Sequence, residues 1–385
     1  MTDNRPVPDA LKPFWDSTVE QFMTLEPSEL EDGAKERHRI YSLLLCALIY
    51  DKWNGNKYGE IGDYREWRKD QQLSTIDGGR YIYKGGSYLG HNIAALAVDG
   101  EGRIMDFDFN HNDVFDSTVE HAESRLVRRL FALNQIYSPW EVLGSDASPR
   151  AALRAGAVYG ERLHQRHSVF ATAASERAAP PRTGTDVATE AEPTPPIPYT
   201  TLLKDVTIYT SLESCAQCSG IMCLASVKDI VYLQWDQGQF LIGNMMWQAT
   251  KNQKENGFGA PHPIRGDDFD FEYFTMLNNA NEAFGNKMRN GSVFYVDPDS
   301  KAENATPSVT SFLCTDTARA IFFKASEELE RLRTSDLACG KWRPNDKPTA
   351  LKNEDVLTQA KDFLRWAKRF DRFNMVGSRG APHRV

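Results

Sequence analysis

The sequence lacks any long hydrophobic run, which argues against a protein embedded in a membrane. A membrane-spanning helix requires about 18 consecutive apolar residues. The longest apolar run, YSLLLCALIY from Tyr41 to Tyr50, is about half as long. The first residues, MTDNRPVPDA, also lack the basic and then apolar pattern of a secretory signal. We therefore expect a cytoplasmic protein that does not associate with membranes.

An excess of positive charge is also absent. The 385 residues include 45 lysines and arginines against 53 aspartates and glutamates, a formal net charge of −8. This balance opposes contact with a phosphate backbone and disfavours a sequence-independent nucleic-acid binder. Basic side chains nevertheless accumulate near the C-terminus, at Lys361, Arg365, Lys368, Arg369, Arg372, Arg379 and Arg384. Contact of that tail with phosphate stays an alternative.

Cysteine is scarce. The six cysteines, at positions 46, 215, 218, 223, 314 and 339, are too few for a disulfide framework in a chain of this length. Cys215 and Cys218 are only three residues apart, and a C-x-x-C pair of this kind indicates a metal site or a redox pair.

Periodicity divides the first part of the chain into helices and a hairpin. Apolar residues recur at helical spacing over residues 12–55, and residues 1–80 are expected to form a helical N-terminal extension. Two segments rich in β-forming residues follow, HNIAALAVD and GRIMDFDF, joined by the turn signal Asp-Gly-Glu-Gly. A helix comes next, with Ser117 or Thr118 placed to cap it and His121 and Glu123 in its first turns. Three arginines on it, Arg125, Arg128 and Arg129, either reach a substrate phosphate or pair with acids elsewhere.

The second part of the chain begins after a segment of low complexity. Residues 171–198 hold six of the 19 prolines and little that can be buried, so we expect a disordered insert. The segments DVTIYTSLE, SCAQCSGIMCLAS and KDIVYLQW then predict a strand, a helix and a parallel strand. From Gly238 onward we expect an aromatic-rich loop region and helices near residues 315–333 and 353–373.

Two short motifs carry the chemistry: His121-Ala122-Glu123, and 94 residues later Cys215-Ala216-Gln217-Cys218. A structural zinc site closes its shell with four protein ligands, commonly two C-x-x-C pairs, whereas this chain has one pair. His121, Cys215 and Cys218 would leave a fourth position for water, as in a catalytic zinc site. Glu123 would act as general base and then general acid. A redox pair or a chance coincidence remains the competing interpretation.

Joined in this order, the motifs resemble the H-x-E and P-C-x-x-C signature of the cytidine deaminase superfamily. The second motif, Ser211-Leu212-Glu213-Ser214-Cys215-Ala216-Gln217-Cys218-Ser219-Gly220, is most similar to the deoxycytidylate and tRNA adenosine deaminase branch. The resemblance implies substrate-binding roles for Asn110, Ser214 and Asp236. Ser214 stands where the family usually has proline, and serine is a good N-cap residue, so the ligand geometry can survive.

The resemblance also implies a fold. We expect an α/β, cytidine-deaminase-like three-layer sandwich: a mixed sheet of about five strands with helices on both faces, plus helical N- and C-terminal additions. The deaminase core would span residues 81–243, interrupted by the insert at 171–198. Residues 244–385 would form substrate-rim loops and a helical C-terminal extension. Relatives commonly form dimers or larger assemblies, so a homo-oligomer is expected.

The function that the resemblance implies is zinc-dependent hydrolytic deamination of an amino-nucleobase, cytosine first, with one Zn²⁺ per chain. The acidic balance favours a free nucleoside or nucleotide as the small-molecule substrate. The alternative is a nucleic-acid editor acting on tRNA or single-stranded DNA through the basic tail. A second alternative is a zinc-stabilised binding or effector protein that has lost turnover.

Overall fold

The computed structural model describes residues 17–53, 74–76, 80–82, 91–112, 117–137, 202–252, 259–290, 309–345 and 347–368. The predicted insert at 171–198 and the C-terminal tail beyond residue 368 lie outside these ranges. Each helix in the described part of the chain is too short or too polar to cross a membrane.

The secondary structure alternates between helices and short strands. The helices are α1 (Val19–Met23), α2 (Asp32–Asp51), α3 (Ala122–Tyr137), α4 (Ala216–Leu224), α5 (Ile242–Thr250), α6 (Glu272–Asn290), α7 (Asp316–Arg331) and α8 (Asn353–Ala367). The strands are β1 (Ser74–Ile76), β2 (Arg80–Ile82), β3 (Ala94–Val98), β4 (Ile104–Phe109), β5 (Thr207–Thr210), β6 (Asp229–Tyr232) and β7 (His262–Arg265). Strands β1 and β2 form a separate two-stranded sheet.

The central sheet has five strands in the order β4-β3-β5-β6-β7. Strand β3 pairs antiparallel with both β4 and β5, whereas β6 and β7 continue parallel to β5. The hairpin and the strand–helix–strand unit predicted from the sequence are therefore confirmed, as is a mixed α/β sheet of five strands. Because β4 and β5 flank the same antiparallel neighbour, they run in the same direction and end at the same edge of the sheet.

Helices cover both faces of this sheet. Successive side chains of a strand point to opposite faces, and β5 shows this directly. The hydroxyl of Tyr209 lies 2.9 Å from Nδ1 of His38 on α2, whereas the next residue, Thr210, contacts Glu123 on α3. Helices α2 and α3 thus lie on opposite faces, as the three-layer prediction requires.

Helix α2 is the centre of the outer layer. Its residues from Ile40 to Ile49 are all buried, because α2 packs on β3 and β5 on one side and against α7 and α8 on others. This arrangement explains the apolar run at 41–50, which a surface helix with one apolar stripe would not need. Helices α7 and α8 also confirm the two helices predicted near 315–333 and 353–373, although α8 ends at Ala367.

Two local predictions are wrong. Helix α3 begins at Ala122, so neither Ser117 nor Thr118 caps it; the side chain of Asn110 instead accepts a hydrogen bond from the Ala122 amide at 2.7 Å. The region expected as aromatic-rich loop contains α5, β7 and α6. Strand β7 was missed because it includes Pro263, which is tolerated there since β7 lies at the sheet edge.

The arginines of α3 pair with acids. Arg129 donates to Asp106 Oδ1 at 2.7 Å and to Asp108 Oδ2 at 3.0 Å, and all three side chains are buried. Burial would raise the pKa of Asp108, but Arg125 and Arg129 hold it at about 2. Arg128 bonds Glu120. These contacts fix α3 on β4 and favour the pairing interpretation over contact with a substrate phosphate.

Two helical glycines give a paired test of the packing. A Cβ atom at Gly33 in α2 would lie 2.1 Å from Cγ of Trp342, whereas a Cβ at Gly220 in α4 would meet nothing within 4 Å. Gly33→Ala should therefore lower the free energy of unfolding by about 1–3 kcal/mol through overpacking. Gly220→Ala should raise it by up to about 1 kcal/mol through helix propensity. Urea unfolding of both variants measures the two values, and equal effects of one sign would contradict this packing.

Candidate metal centre

Three soft ligand atoms meet where two helices begin. His121 immediately precedes α3, and its carbonyl accepts the amide of Arg125 at 3.0 Å. Cys215 is the N-cap of α4, and Cys218 lies in the first turn of that helix. His121 Nδ1 lies 3.4 Å from Cys215 Sγ and 3.5 Å from Cys218 Sγ. The sequence prediction that these residues come together is thus met by the geometry.

The distances between the three donor atoms suit a tetrahedrally coordinated metal ion. Zinc bonds of about 2.3 Å to sulfur and 2.1 Å to nitrogen would separate the sulfur and nitrogen atoms by about 3.6 Å, close to the two distances observed. All three donor atoms lie within 4.8 Å of one another. Among the described residues, this is the group of His, Cys, Asp or Glu side chains that is able to hold one metal ion.

The protonation of the two cysteines is unequal in the metal-free protein. Hydrogen bonds from the Cys218 thiol and from His121 lower the pKa of Cys215 to about 4, against the effect of burial. The hydrogen bond to Cys215, together with burial, raises the pKa of Cys218. The hydrogen bond between His121 and Cys215 raises the pKa of His121. Cys215 is therefore held as a thiolate, the form that binds metal.

Glu123 lies beside the three donors without being one of them. It is the second residue of α3 and only 4% exposed. Its Oε1 accepts a hydrogen bond from Thr210 Oγ1 at 3.1 Å, and its Oε2 lies 3.5 Å from Cys218 Sγ. Burial raises the pKa of this carboxyl. The position of Oε2 brings this carboxyl within reach of a molecule bound at the metal position.

The predicted substrate residues lie around this group in different ways. Asn110 is buried, and its Oδ1 is engaged by the amide of Ala122, next to His121. Asp236 accepts hydrogen bonds from the amides of Gly238 and Gln239, and burial raises its pKa. Its charge interacts with those of His121 and Cys215, which places it close to the centre. Contact of either residue with a substrate stays a prediction.

Ser214 does not cap α4, because the N-cap is Cys215. The capping role expected for the serine is therefore wrong. Ser214 is buried, and its hydroxyl lies 2.8 Å from the hydroxyl of Ser219. A Cβ at Gly243 would lie 3.1 Å from Ser214 Oγ, so α5 packs closely at this point. The Ser214 hydroxyl thus stabilises the start of α4 through its contact with Ser219. Contact of Ser214 with a substrate stays a prediction.

Glu213 has a role that the motif did not reveal. Its carboxylate accepts the amides of Asp236 at 3.2 Å and Leu241 at 2.9 Å, and burial raises its pKa to about 7. Gln239 in the same loop accepts the amide of Ala216 at the start of α4. Loop 235–241 is thereby tied to the strand and the helix that flank Cys215. No local pattern in the sequence marks these contacts, because the amides that Glu213 binds lie 23 and 28 residues further along the chain.

The expected aromatic rim is only partly present. Phe240 is 41% exposed and forms a T-shaped contact with Trp235. Both residues belong to loop 235–241. Phe269, Phe271 and Tyr273 are buried in the core, so they do not line the site. The rings of His262 and Trp247 pack against each other at a tilt of 57°, and Phe258 lies outside the described residues. His111 is buried near Asp108 and does not line an open pocket.

Comparisons with known proteins give little beyond this geometry. No protein-family model matches the chain, and no curated protein matches it. Among solved structures, the chain is similar to one described under "Biochemical and Structural Studies of A-to-I Editing by tRNA:A34 Deaminases at the Wobble Position of Transfer RNA". The two are 13% identical, with a TM-score of 0.23, over 48% of this chain and 83% of that one. The assignment of the site therefore depends on the positions of His121, Cys215, Cys218 and Glu123.

Proposed function

We propose that the protein is a zinc-dependent hydrolytic deaminase of an amino-nucleobase, with a cytidine-deaminase-like fold. The observation that carries this proposal is the convergence of one imidazole and two thiols at two helix starts, with a buried carboxylate alongside. Three protein ligands leave one position of a tetrahedral ion open, as catalytic zinc sites do. The five-stranded mixed sheet with helices on both faces is consistent with the same assignment.

Hydrolytic deamination adds water to an amidine carbon of the base and releases ammonia. Bound zinc would supply the Lewis acidity that makes water nucleophilic near neutral pH. His121, Cys215 and Cys218 would hold that ion. The net reaction exchanges one C–NH₂ group for C=O, with the water oxygen retained in the product and no oxidant or reductant consumed.

Glu123 would move the protons. Its carboxylate would take a proton from the attacking water and give it to the adjacent ring nitrogen. It would then transfer the second proton to the departing amine, which leaves as ammonia. Burial raises the pKa of this carboxyl above its usual value, which is the direction that suits a group acting first as a base and then as an acid.

We propose a free nucleoside or nucleotide as the substrate. The formal charge of −8 disfavours a polyanion. Near the centre, Asp236 contributes negative charge, and Glu120 neutralises Arg125 and Arg128 through ion pairs. Two alternatives are a nucleic-acid editor and a zinc-binding protein without turnover. The substrate experiments below distinguish both of them from the proposal.

Metal content tests the ligand set. The wild-type protein purified without chelator should carry about one zinc per chain, and His121→Ala or Cys215→Ala should carry less than about one-tenth of that, since two remaining ligands hold zinc poorly. Cys223→Ala is the matched control, because Cys223 lies on the same helix α4 but outside the donor group. Elemental analysis gives the values. Full zinc content in Cys215→Ala would contradict the assignment.

Removal of the carboxylate tests the catalytic role. Glu123→Gln should keep both its zinc and its folded structure. Its kcat should fall by about two to four orders of magnitude, because the amide cannot accept the proton of water. Glu120→Gln is the control, since Glu120 bonds Arg125 and Arg128 instead of facing the donors. Its kcat should stay within about threefold of wild type. The measurement is ammonia release, and substantial turnover by Glu123→Gln would contradict the proposal.

A substrate panel with a salt series tests the substrate class. Free bases, nucleosides, nucleotides and short DNA and RNA strands are offered together, and mass spectrometry detects the change of about one dalton from amine to carbonyl. We expect conversion of a small molecule, with kcat/KM nearly constant between about 50 and 200 mM salt. Conversion confined to strands, with kcat/KM falling at least about tenfold over that range, would establish the nucleic-acid alternative. Zinc binding without any conversion would establish the non-catalytic one.

A further inference from the structure

Strand β5 contributes a side chain to the site that neither motif contains. Thr210 is the last residue of β5 and is completely buried. Its hydroxyl donates a hydrogen bond to Glu123 Oε1 over a distance of 3.1 Å. Its neighbour Tyr209 faces α2 on the other side of the sheet. Thr210 is therefore the point at which the sheet touches the carboxylate directly.

The two carboxylate oxygens of Glu123 have different surroundings. Oε1 is bound by Thr210, whereas Oε2 lies toward Cys218 Sγ, at 3.5 Å, and thus toward the metal ligands. A glutamate side chain rotates about three bonds, and its terminal torsion is broad. With Oε1 fixed to the sheet, the rotation that would turn Oε2 away from the ligands costs a buried hydrogen bond to a charged group.

We propose that Thr210 is a positioning residue for the deamination reaction: it holds Glu123 by one oxygen so that the other faces the metal centre. This inference rests on the proposed function. The donor is itself well fixed, because a β-branched side chain has restricted χ1 rotamers and Thr210 lies within a paired strand. Its backbone carbonyl is also engaged, by the amide of Leu233 at 3.2 Å. The hydroxyl has a single proton to donate, and the geometry directs it to Glu123.

Strand β5 also offers a matched control. Thr207, three residues earlier, donates its hydroxyl to Asp229 on β6 at 3.3 Å. It is the same residue type, on the same strand, bonded to a carboxylate of the same sheet. Asp229 is not part of the donor group. A Thr→Val substitution at either position removes one hydroxyl-to-carboxylate hydrogen bond with almost no change of volume.

The kinetic experiment compares Thr210→Val, Thr210→Ser and Thr207→Val. With Thr210→Val we expect kcat to fall about tenfold while KM stays within about twofold, because Thr210 is completely buried and the lost bond serves the transition state. Thr210→Ser keeps the hydroxyl and should restore kcat to within about threefold of wild type. Thr207→Val should leave kcat unchanged. A purely structural role would affect both valine variants alike or raise KM.

A second readout does not depend on activity. Infrared spectra of the metal-free protein, labelled with ¹³C-glutamate, report the carboxylate stretching bands of the glutamates. The difference between Thr210→Val and wild type should show a shifted glutamate band. In a Glu123→Gln background, the same substitution should produce no such shift, because the bonded carboxylate is absent.

The outcomes separate this inference from the function on which it rests. Normal kcat in Thr210→Val, together with loss of turnover in Glu123→Gln, would overturn the positioning role and leave the deaminase assignment intact. Infrared differences that are the same in both backgrounds would also overturn it, whether or not a substrate has been found. Turnover that survives Glu123→Gln would instead refute the proposed function.

Discussion

The candidate centre depends on one topological constraint, the antiparallel pairing of β3 with both of its neighbours. Because β4 and β5 flank the same strand, they run in parallel and end at one edge of the sheet. The chain leaves β4 toward His121 and leaves β5 toward Cys215. Ligands that are 94 residues apart in the sequence therefore meet within hydrogen-bonding distance. Without that shared edge, neither the metal group nor the position of Glu123 beside it would exist.

Buried polar contacts then fix the geometry at this edge. Arg129 ties α3 to two aspartates of β4, Asn110 binds the first amide of the same helix, and Glu213 ties loop 235–241 to the segment between β5 and α4. These contacts do not use the donor atoms of His121, Cys215 or Cys218, so those atoms stay available to an ion. A buried charged group without its partner is costly, which means that these elements are held in one arrangement. A site built on helix starts and strand ends is correspondingly precise.

The sequence allowed the strands β3 to β6, helices α7 and α8 and the approach of His121 to the two cysteines to be predicted, because each has a strong local signature. The cap of α3 could not be predicted, since Asn110 reaches it across a loop and Ser117 offers the better local pattern. Strand β7 was hidden by Pro263, which only an edge position tolerates. Glu213 and Thr210 carry no local signal for their contacts, because those contacts are made by backbone amides and a carboxylate distant in sequence. For the aromatic residues near 269–273 the sequence left substrate stacking and ordinary packing open, and their burial in the core favours packing.

The coordination shell of the bound metal tests the proposed centre most directly. Zinc X-ray absorption on the purified full chain measures the number and type of ligands. We predict two sulfur atoms at about 2.3 Å, one imidazole nitrogen at about 2.0–2.1 Å and one further light atom that the protein does not supply. In Glu123→Gln, the sulfur and imidazole ligands should be unchanged. A closed shell of four protein ligands would contradict a catalytic centre and would assign the metal a structural role.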